Sequence, residues 1–291
     1  MTLAKLIPIA IQLSMAIVIF CVALNAHVDD VASLLRKPGL LIRSLVAMLV
    51  VMPVIAVAFA MAFGLNDAVE IALVASALSP VPPILPGKQI KAGGHASYVI
   101  GLLLISALVA IVYVPLAGHL LGTVFHRPVQ VDIGNVATIV TTSMLLPVLA
   151  GLAIRRLAPA LADRLHKPLA IFGTVLLIVA LVPVLIKEWP AISSLIGHFS
   201  LVVMIVFAVI GMTVGHFLGG PDPDDRSVLA LATSARHPAV ALAITHNAVN
   251  RPGVMAAVLL VLVVSSIVSM PYVKWRRRAH QAPPPDGHSQ V

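Results

Sequence analysis

The sequence predicts an all-α integral membrane protein with about nine transmembrane helices. Of its 291 residues, 60% are hydrophobic and only 10% are charged, and the mean hydropathy is +1.06. This composition excludes an ordinary soluble domain, in which about a quarter of the residues are charged. The apolar runs are continuous and do not alternate with polar residues. This pattern favours helices over the closed β-barrel, the other fold that satisfies backbone hydrogen bonds in lipid.

Nine segments have the length and apolarity needed to cross about 30 Å of hydrocarbon. The seven clear spans lie near residues 6–25, 40–63, 95–121, 134–154, 168–187, 195–218 and 253–273. Two further segments, about 69–92 and 226–248, are apolar but interrupted. The first contains four prolines, and the second contains Arg236-His237-Pro238. In the span 195–218, glycines at four-residue spacing (Gly211, Gly215 and Gly219) predict a close helix-packing face.

The two interrupted segments share a local pattern, Ser-Ala-x-x-Pro, at residues 76–80 and 234–238. Each proline follows an aspartate, Asp67 or Asp225, by thirteen residues, and we expect these aspartates to cap helix starts. Interrupted helices at corresponding places in two halves are typical of transporters with internal repeats, because the opened backbone offers groups for a solute. We therefore expect inverted repeats of four and five spans, with two discontinuous helices that cross.

The basic residues are distributed unevenly between the two sides that nine spans define. Fourteen fall on one side: Arg36, Lys37, Arg43, Lys88, Lys91, Arg155, Arg156, Arg164, Lys167, Arg226, Lys274, Arg276, Arg277 and Arg278. Four fall on the other side: Lys5, Arg127, Lys187 and Arg251. Cytoplasmic loops are rich in lysine and arginine, so we predict an inner-membrane protein with its amino terminus outside and its carboxyl terminus in the cytoplasm. This distribution explains the net charge of +8 without a nucleic-acid partner.

The remaining chemistry of the sequence excludes several classes of site. Cys21 is the only cysteine, and the histidines lie near span ends without metal-ligand spacing, so neither a disulfide framework nor a metal site is predicted. No Ser-His-Asp order or interior pair of carboxylates supports an enzyme. Residues 1–278 form the predicted membrane domain, and residues 279–291, which include three prolines, form a predicted disordered cytoplasmic tail.

Arg236 is the most unusual residue of the second interrupted segment. An arginine at the centre of a span costs about 2.5–3.5 kcal/mol on insertion scales, so it should face a polar cavity or a partner. Two interpretations follow: a structural cation that binds carbonyls freed at the other break, or a binding group for an organic anion. His237 either makes a hydrogen bond only or titrates and couples transport to protons.

Several polar residues surround the two breaks. Lys88 either reaches the cavity or lies at the cytoplasmic end of its broken helix. The short hydroxyl side chains either satisfy freed backbone groups or contact substrate. The candidate residues of the crossing region are Ser76, Ser79, Pro80, Lys88, Thr233, Ser234, Arg236, His237 and Pro238.

These segments resemble those of the bile acid:sodium symporter superfamily. The stretch from Ser79-Pro80 to Pro115 is similar to the family's first crossing helix and following span. The stretch 232–237, Ala-Thr-Ser-Ala-Arg-His, is similar to the second crossing helix, where sodium-coupled members have Glu-x-Gly-x-Gln-Asn. The resemblance covers nearly the whole chain. It implies a panel domain and a core domain, with core elements 69–121 and 226–273 and substrate in the crevice between the domains.

The sequence departs from the family pattern where that pattern implies sodium ligands. The five residues at these places are Leu85, Pro86, Val99, Leu103 and Ala232. In addition, all eleven acidic residues lie in loops or at span ends, so no carboxylate is predicted inside to hold a cation. Na⁺ is the family's coupling ion, but these side chains do not match its ligands.

The function predicted from these features is secondary transport of a small organic anion by alternating access. Classical sodium coupling is not expected. Two alternatives are a non-transporting membrane receptor or scaffold on the same fold, and a passive facilitator.

Overall fold

The computed structural model describes residues 3–26, 28–124, 132–196, 199–245 and 253–281, and the regular structure in these ranges is entirely helical. This confirms the all-α prediction. The helices are α1 (Leu3–Ala23), α2 (Val28–Ser33), α3 (Pro38–Ala62), α4 (Asp67–Leu78), α5 (Leu85–Lys91), α6 (Ala96–Val124), α7 (Ile133–Leu157), α8 (Pro159–Leu195), α9 (Ser200–Leu218), α10 (Pro223–Ser234), α11 (Pro238–Ile244) and α12 (Val254–Gln281).

Within the described ranges, seven segments are long and apolar enough to cross a membrane. They are α3, α6, α7, α8, α9, the interrupted pair α10–α11, and α12. The other two predicted spans correspond to α1, whose apolar part Ile9–Ala23 is shorter, and to α4–α5, whose two pieces have 12 and 7 residues. The protein is therefore an integral membrane protein, and the count of nine spans stays a prediction.

Helix starts follow local capping chemistry. The Asn66 side chain accepts a hydrogen bond from the Ala68 N–H at 2.9 Å and caps α4. The Asp222 side chain accepts from the Asp224 N–H at 2.8 Å and caps α10. The predicted caps Asp67 and Asp225 are wrong by one and three residues. In the second case the reason is Pro223, which is well suited to the first helical position and shifts the start of α10 towards the amino terminus.

α3 and α7 share an irregularity. Each contains a five-residue π-helical turn, Ala47–Val51 in α3 and Thr141–Leu145 in α7. In each helix the second residue after this turn is a proline, Pro53 or Pro147. Proline lacks an N–H group and cannot continue the regular ladder, so the backbone widens locally and leaves carbonyl oxygens for other donors.

The two broken helices cross in opposite directions. α4 packs against α11, whereas α5 packs against α10, so the beginning of each broken helix meets the end of the other. The Gln89 side chain of α5 donates from Nε2 to the Val228 carbonyl of α10 at 2.8 Å, which joins the second pair. The breaks of both helices consequently lie together between these two contacts.

The glycine spacing in α9 does form a close packing face. A Cβ atom added at Gly211, Gly215 or Gly219 would lie too close to backbone atoms of α10. α9 and α10 therefore pack nearly backbone to backbone, as predicted. At the other end of the chain, α12 continues to Gln281, three residues into the predicted tail, and His280 Nδ1 lies 3.1 Å from Asp224 Oδ2. Residues 282–291 lie outside the described ranges.

Candidate substrate site at the crossing of the broken helices

The two breaks are set by residues that precede prolines. Ser79, before Pro80, and His237, before Pro238, have extended backbones with ψ of 151° and 108°. A proline disfavours the helical conformation of the preceding residue and removes one N–H donor. Each helix therefore ends near the centre of its segment, and its last carbonyls need donors from elsewhere.

The second break supplies donors to the first. The His237 backbone N–H donates to the Pro80 carbonyl at 3.0 Å. Arg236 Nη1 donates to the Ser79 carbonyl at 3.4 Å. Two residues that follow α10 thus satisfy two carbonyls that follow α4, and both residues are almost completely buried.

Arg236 also bonds a carbonyl of the π-helical turn in α3. Pro53 has no N–H with which to reach the carbonyl four residues before it, at Leu49, or five residues before it, at Met48. Arg236 Nη2 donates to the Met48 carbonyl at 3.4 Å, and the Tyr113 hydroxyl donates to the Leu49 carbonyl. The irregularity in α3 therefore creates acceptors for both side chains.

The guanidinium of Arg236 keeps unused donor capacity. Its side chain is 4% exposed, its two hydrogen bonds are long, and its buried Nε has no partner. Within the described ranges no carboxylate lies within ion-pair distance of it. A guanidinium carries five N–H donors, and a buried charge is stable only with compensating partners. Arg236 is therefore a fixed positive charge that can bind an anionic group by donating hydrogen bonds to it.

His237 meets the second π-helical turn. Its Nε2 lies 3.4 Å from Ser143 Oγ, and the Ser143 hydroxyl donates to the Ile139 carbonyl at 2.6 Å. Because the serine hydrogen is used in that bond, the contact is best satisfied with Nε2 as the donor. Nδ1 of the neutral ring is then an acceptor, and this buried atom has no partner. The site thus combines a charged donor with a neutral acceptor.

The hydroxyl groups near the breaks bond mainly to backbone. The Ser79 hydroxyl donates to the Ser76 carbonyl at 2.8 Å, and that of Ser234 donates to the Leu231 carbonyl at 3.1 Å. Thr233 Oγ1 lies within hydrogen-bond distance of the Leu229 carbonyl of its own helix and of the Gly211 carbonyl of α9. These contacts favour the interpretation that the hydroxyls satisfy backbone groups. Ser76 is buried and contributes its carbonyl to the first break.

Lys88 does not join this group. It is half-buried in α5, and among the described residues no hydrogen bond connects it to either break. Its neighbour Gln89 is buried and leaves Oε1 without a partner while Nε2 bonds α10. The sequence prediction missed Gln89, Met48, Tyr113 and Ser143. For Met48 and Ser143 the available signal was the pair of prolines, Pro53 and Pro147, that follow their turns in α3 and α7. These prolines did not indicate Gln89 or Tyr113.

A second polar group lies where α5, α6 and α10 meet. His95 Nδ1 is 3.2 Å from Asp225 Oδ1 and 3.8 Å from Asp222 Oδ2, and Lys37 Nζ is 4.0 Å from Asp225 Oδ2. The spacing of the histidines in the sequence did not indicate this arrangement. The imidazole and the two carboxylates can approach one cation, but the Lys37 ammonium already lies beside the most buried of them.

Residues 12–211 match the model of the sodium bile acid symporter family. The chain belongs to this family. It is accordingly a membrane transporter of the bile acid symporter type. A comparison with curated proteins finds no match. The family match includes the first broken helix and ends within α9, so Arg236 and His237 lie beyond it.

In this family member, the places that the resemblance assigns to sodium ligands are filled by apolar side chains. All five, Leu85, Pro86, Val99, Leu103 and Ala232, are buried. None has a side-chain oxygen, the ligand type that hard cations prefer. The side chains at these positions therefore do not fit Na⁺ as a co-substrate.

Proposed function

We propose that the protein is a secondary transporter of a small organic anion and that Arg236 binds the anionic group. The proposal rests on a buried guanidinium at the crossing of two broken helices. This group has N–H donors without acceptors and no carboxylate partner in the described ranges. A carboxylate or sulfonate would complete its hydrogen bonds and neutralise its charge. His237 Nδ1 would accept a hydrogen bond from the ligand or from a water molecule bound beside it.

The packing of the helices supports a mechanism of alternating access. α1 packs mainly against α7 and α8, whereas the broken helices pack mainly against α3, α6, α9 and α12, with smaller contacts from α11 to α7 and from α5 to α1. We assign the first group to a panel and keep residues 69–121 and 226–273 as the core, within a nine-span arrangement with inverted repeats. We add α3 and α9 to this core because they pack against the broken helices. His237 contacts Ser143 of α7. With this assignment, the crossing would lie between core and panel. Rocking of one body against the other would expose the crossing to each side in turn.

Arg236 would also allow transport without sodium. In this proposal its fixed charge stands where a coupling cation would otherwise offset the charge of the substrate. Replacement of Na⁺ by choline should therefore change substrate affinity by less than about threefold, well under the tenfold that corresponds to 1.4 kcal/mol. We propose that the transporter lies in the inner membrane with its amino terminus outside, because the basic residues are concentrated on one side.

The test is ligand binding to purified Arg236→Gln protein. A thermal-shift screen of carboxylates and sulfonates identifies anions that raise the Tm, because a ligand that binds the folded state stabilises it. Glutamine keeps one polar amide at the crossing, although its side chain is two bonds shorter than that of arginine, and it loses the charge-assisted pairing, worth about 1.5–3 kcal/mol. Affinity for the anion should therefore fall by at least about tenfold. Lys88→Gln, which removes one positive charge away from the breaks, is the matched control and should retain binding.

Three outcomes contradict the proposal. Unchanged anion affinity in Arg236→Gln removes Arg236 from the binding site. A large loss of Tm with equal weakening of neutral and anionic ligands assigns Arg236 a structural role only. Binding without counterflow in proteoliposomes identifies a receptor or a passive facilitator, because only an alternating-access carrier exchanges labelled for unlabelled substrate faster than it leaks.

A further inference from the structure

The carboxyl-terminal end of α12 carries charges that face outward from the protein. The run 274–278 is Lys-Trp-Arg-Arg-Arg. Arg276 is buried and bonds Ser227 Oγ at 2.6 Å and Asp224 Oδ1 at 3.2 Å. Lys274, Arg277 and Arg278, here called the basic triplet, are exposed, and within the described ranges no carboxylate pairs with them. Their three-to-four-residue spacing places them on one face of the helix.

Aromatic rings lie beside this face. His216 at the end of α9 and Tyr272 and Trp275 of α12 form an aromatic cluster with ring centroids 5.6–5.9 Å apart. The His216 and Tyr272 side chains share a hydrogen bond of 2.7 Å. Trp275 is 55% exposed, and Phe217, next to the cluster, is 78% exposed. The cluster is therefore a fixed apolar surface that faces away from the protein.

The length of α12 places this surface at the boundary of the bilayer. The helix has 28 residues. About 20 residues cross the hydrocarbon, so the last turns lie in the headgroup region. Tryptophan and tyrosine are favoured at this depth, and lysine and arginine extend towards the phosphates. This location holds whichever side of the membrane the carboxyl terminus occupies.

We infer that the basic triplet and the aromatic cluster together bind the headgroup of an anionic phospholipid. The complementarity is twofold. The three unpaired cations match the negative phosphate and attract it electrostatically. The exposed rings of Trp275 and Phe217 pack against the glycerol and the first methylenes of the acyl chains. Arg276, held by Asp224, fixes Trp275 in place by lying over its ring at 5.6 Å.

The chain supplies its own reporter for this site. It has two tryptophans, and Trp189→Phe leaves Trp275 as the only one. The protein is reconstituted in phosphatidylcholine bilayers that contain increasing amounts of brominated phosphatidylglycerol or brominated phosphatidylcholine, and Trp275 fluorescence is recorded. We expect half-maximal quenching at a mole fraction of the anionic lipid at least about threefold lower than that of the zwitterionic lipid.

The variant Lys274→Gln/Arg277→Gln/Arg278→Gln should quench equally with both lipids. Arg156→Gln/Arg164→Gln/Lys167→Gln is the matched control, because it removes three exposed charges far along the chain from the aromatic cluster. It should retain the preference, as should a sample with excess glycerol 3-phosphate. The inference is overturned by equal quenching in the starting protein, by loss of preference in the control variant, or by displacement with glycerol 3-phosphate, which indicates a site for a free phosphate.

Discussion

Gly215 lies at the closest approach of α9 and α10. A Cβ at this position would overlap Thr233 Oγ1, the Leu229 carbonyl and the Cα of Ala230. Two of these three atoms belong to the backbone and cannot rotate away. We therefore expect Gly215→Ala to destabilise the protein by roughly 1–3 kcal/mol, as overpacking of a well-packed interior does.

The measurement is the Tm of the purified protein, with anion affinity recorded in parallel. Gly87→Ala is the control, because apart from its chain neighbours and the backbone of its own helix no atom lies within 4 Å of a Cβ added at Gly87. Gly215→Ala should lower both quantities, since Thr233 is only three residues before Arg236 and moves with it. A Tm equal to that of Gly87→Ala would show that α9 and α10 have room to separate.

Arg236 illustrates what the sequence reveals about a single residue. Its position in an apolar segment requires a polar environment, and that requirement follows from the cost of burying a charge. The identity of its partners does not follow. The Ser79 and Met48 acceptors are backbone carbonyls, which every residue possesses, so nothing in the sequence distinguishes them. Ser143 beside His237 was likewise one hydroxyl among many.

At the scale of elements, Pro53 of α3 and Tyr113 of α6 affect the same backbone carbonyl. Proline at 53 leaves the Leu49 carbonyl without its usual donor, and the Tyr113 hydroxyl takes this role. Tyr113→Phe should cost about 1–3 kcal/mol, because it leaves a carbonyl unsatisfied. Pro53→Ala restores an N–H that can bond this carbonyl. The cost of Tyr113→Phe should therefore be smaller in the Pro53→Ala background.

A double-mutant cycle measures this coupling through the unfolding free energies of the four proteins. We expect a coupling energy of about 0.5–1.5 kcal/mol, the range typical of residues in one hydrogen-bond network. Pro147→Ala is the control background, because Pro147 lies in α7 after the other π-helical turn. Strict additivity in the Pro53→Ala background would mean that the hydroxyl does not replace the missing N–H group.

The broken helices were predictable as elements, and their details were not. Prolines inside apolar segments indicate an interruption, because the ring excludes a backbone donor. Proline leads to a π-helical turn in α3, at Pro53, and to a full break between α4 and α5, at Pro80. Only the surrounding packing decides which of the two forms. The predicted caps Asp67 and Asp225 differ from the observed caps Asn66 and Asp222. Aspartate, asparagine and proline all suit a helix start, and several of them stand side by side at each start.

At the scale of the whole molecule, residues predicted for the cytoplasmic side do come together. Lys37, His95, Arg276 and His280 come from distant parts of the chain, and all four lie beside the carboxylates of residues 222–225. Arg155 pairs with Asp163 at 2.9 Å at the junction of α7 and α8. These ion pairs agree with a common end for these basic residues. They do not identify the compartment at that end, because folding energetics are the same in either orientation.

Asn66 and Lys91 bracket the broken helix α4–α5 and test this orientation together with the crossing. Both side chains are exposed, at the start of α4 and the end of α5. In a Cys21→Ser background, Asn66→Cys should react with a membrane-impermeant maleimide on intact cells, and Lys91→Cys should react only after permeabilisation. The reason is the bias of fourteen basic residues, including Lys91, towards one side.

Each possible pattern of labelling has a separate physical meaning, because the two positions are joined by only one interrupted segment. If both cysteines react from the same side, α4–α5 enters the membrane and returns, and the nine-span arrangement fails. If the two exchange sides, the segment crosses but the basic residues do not set the orientation. With Asn66 outside and Lys91 inside, α4 and α5 together span the bilayer although neither piece is long enough alone. The break at Ser79 and Pro80 then lies near the midplane, where Arg236 meets a carbonyl that water does not otherwise satisfy.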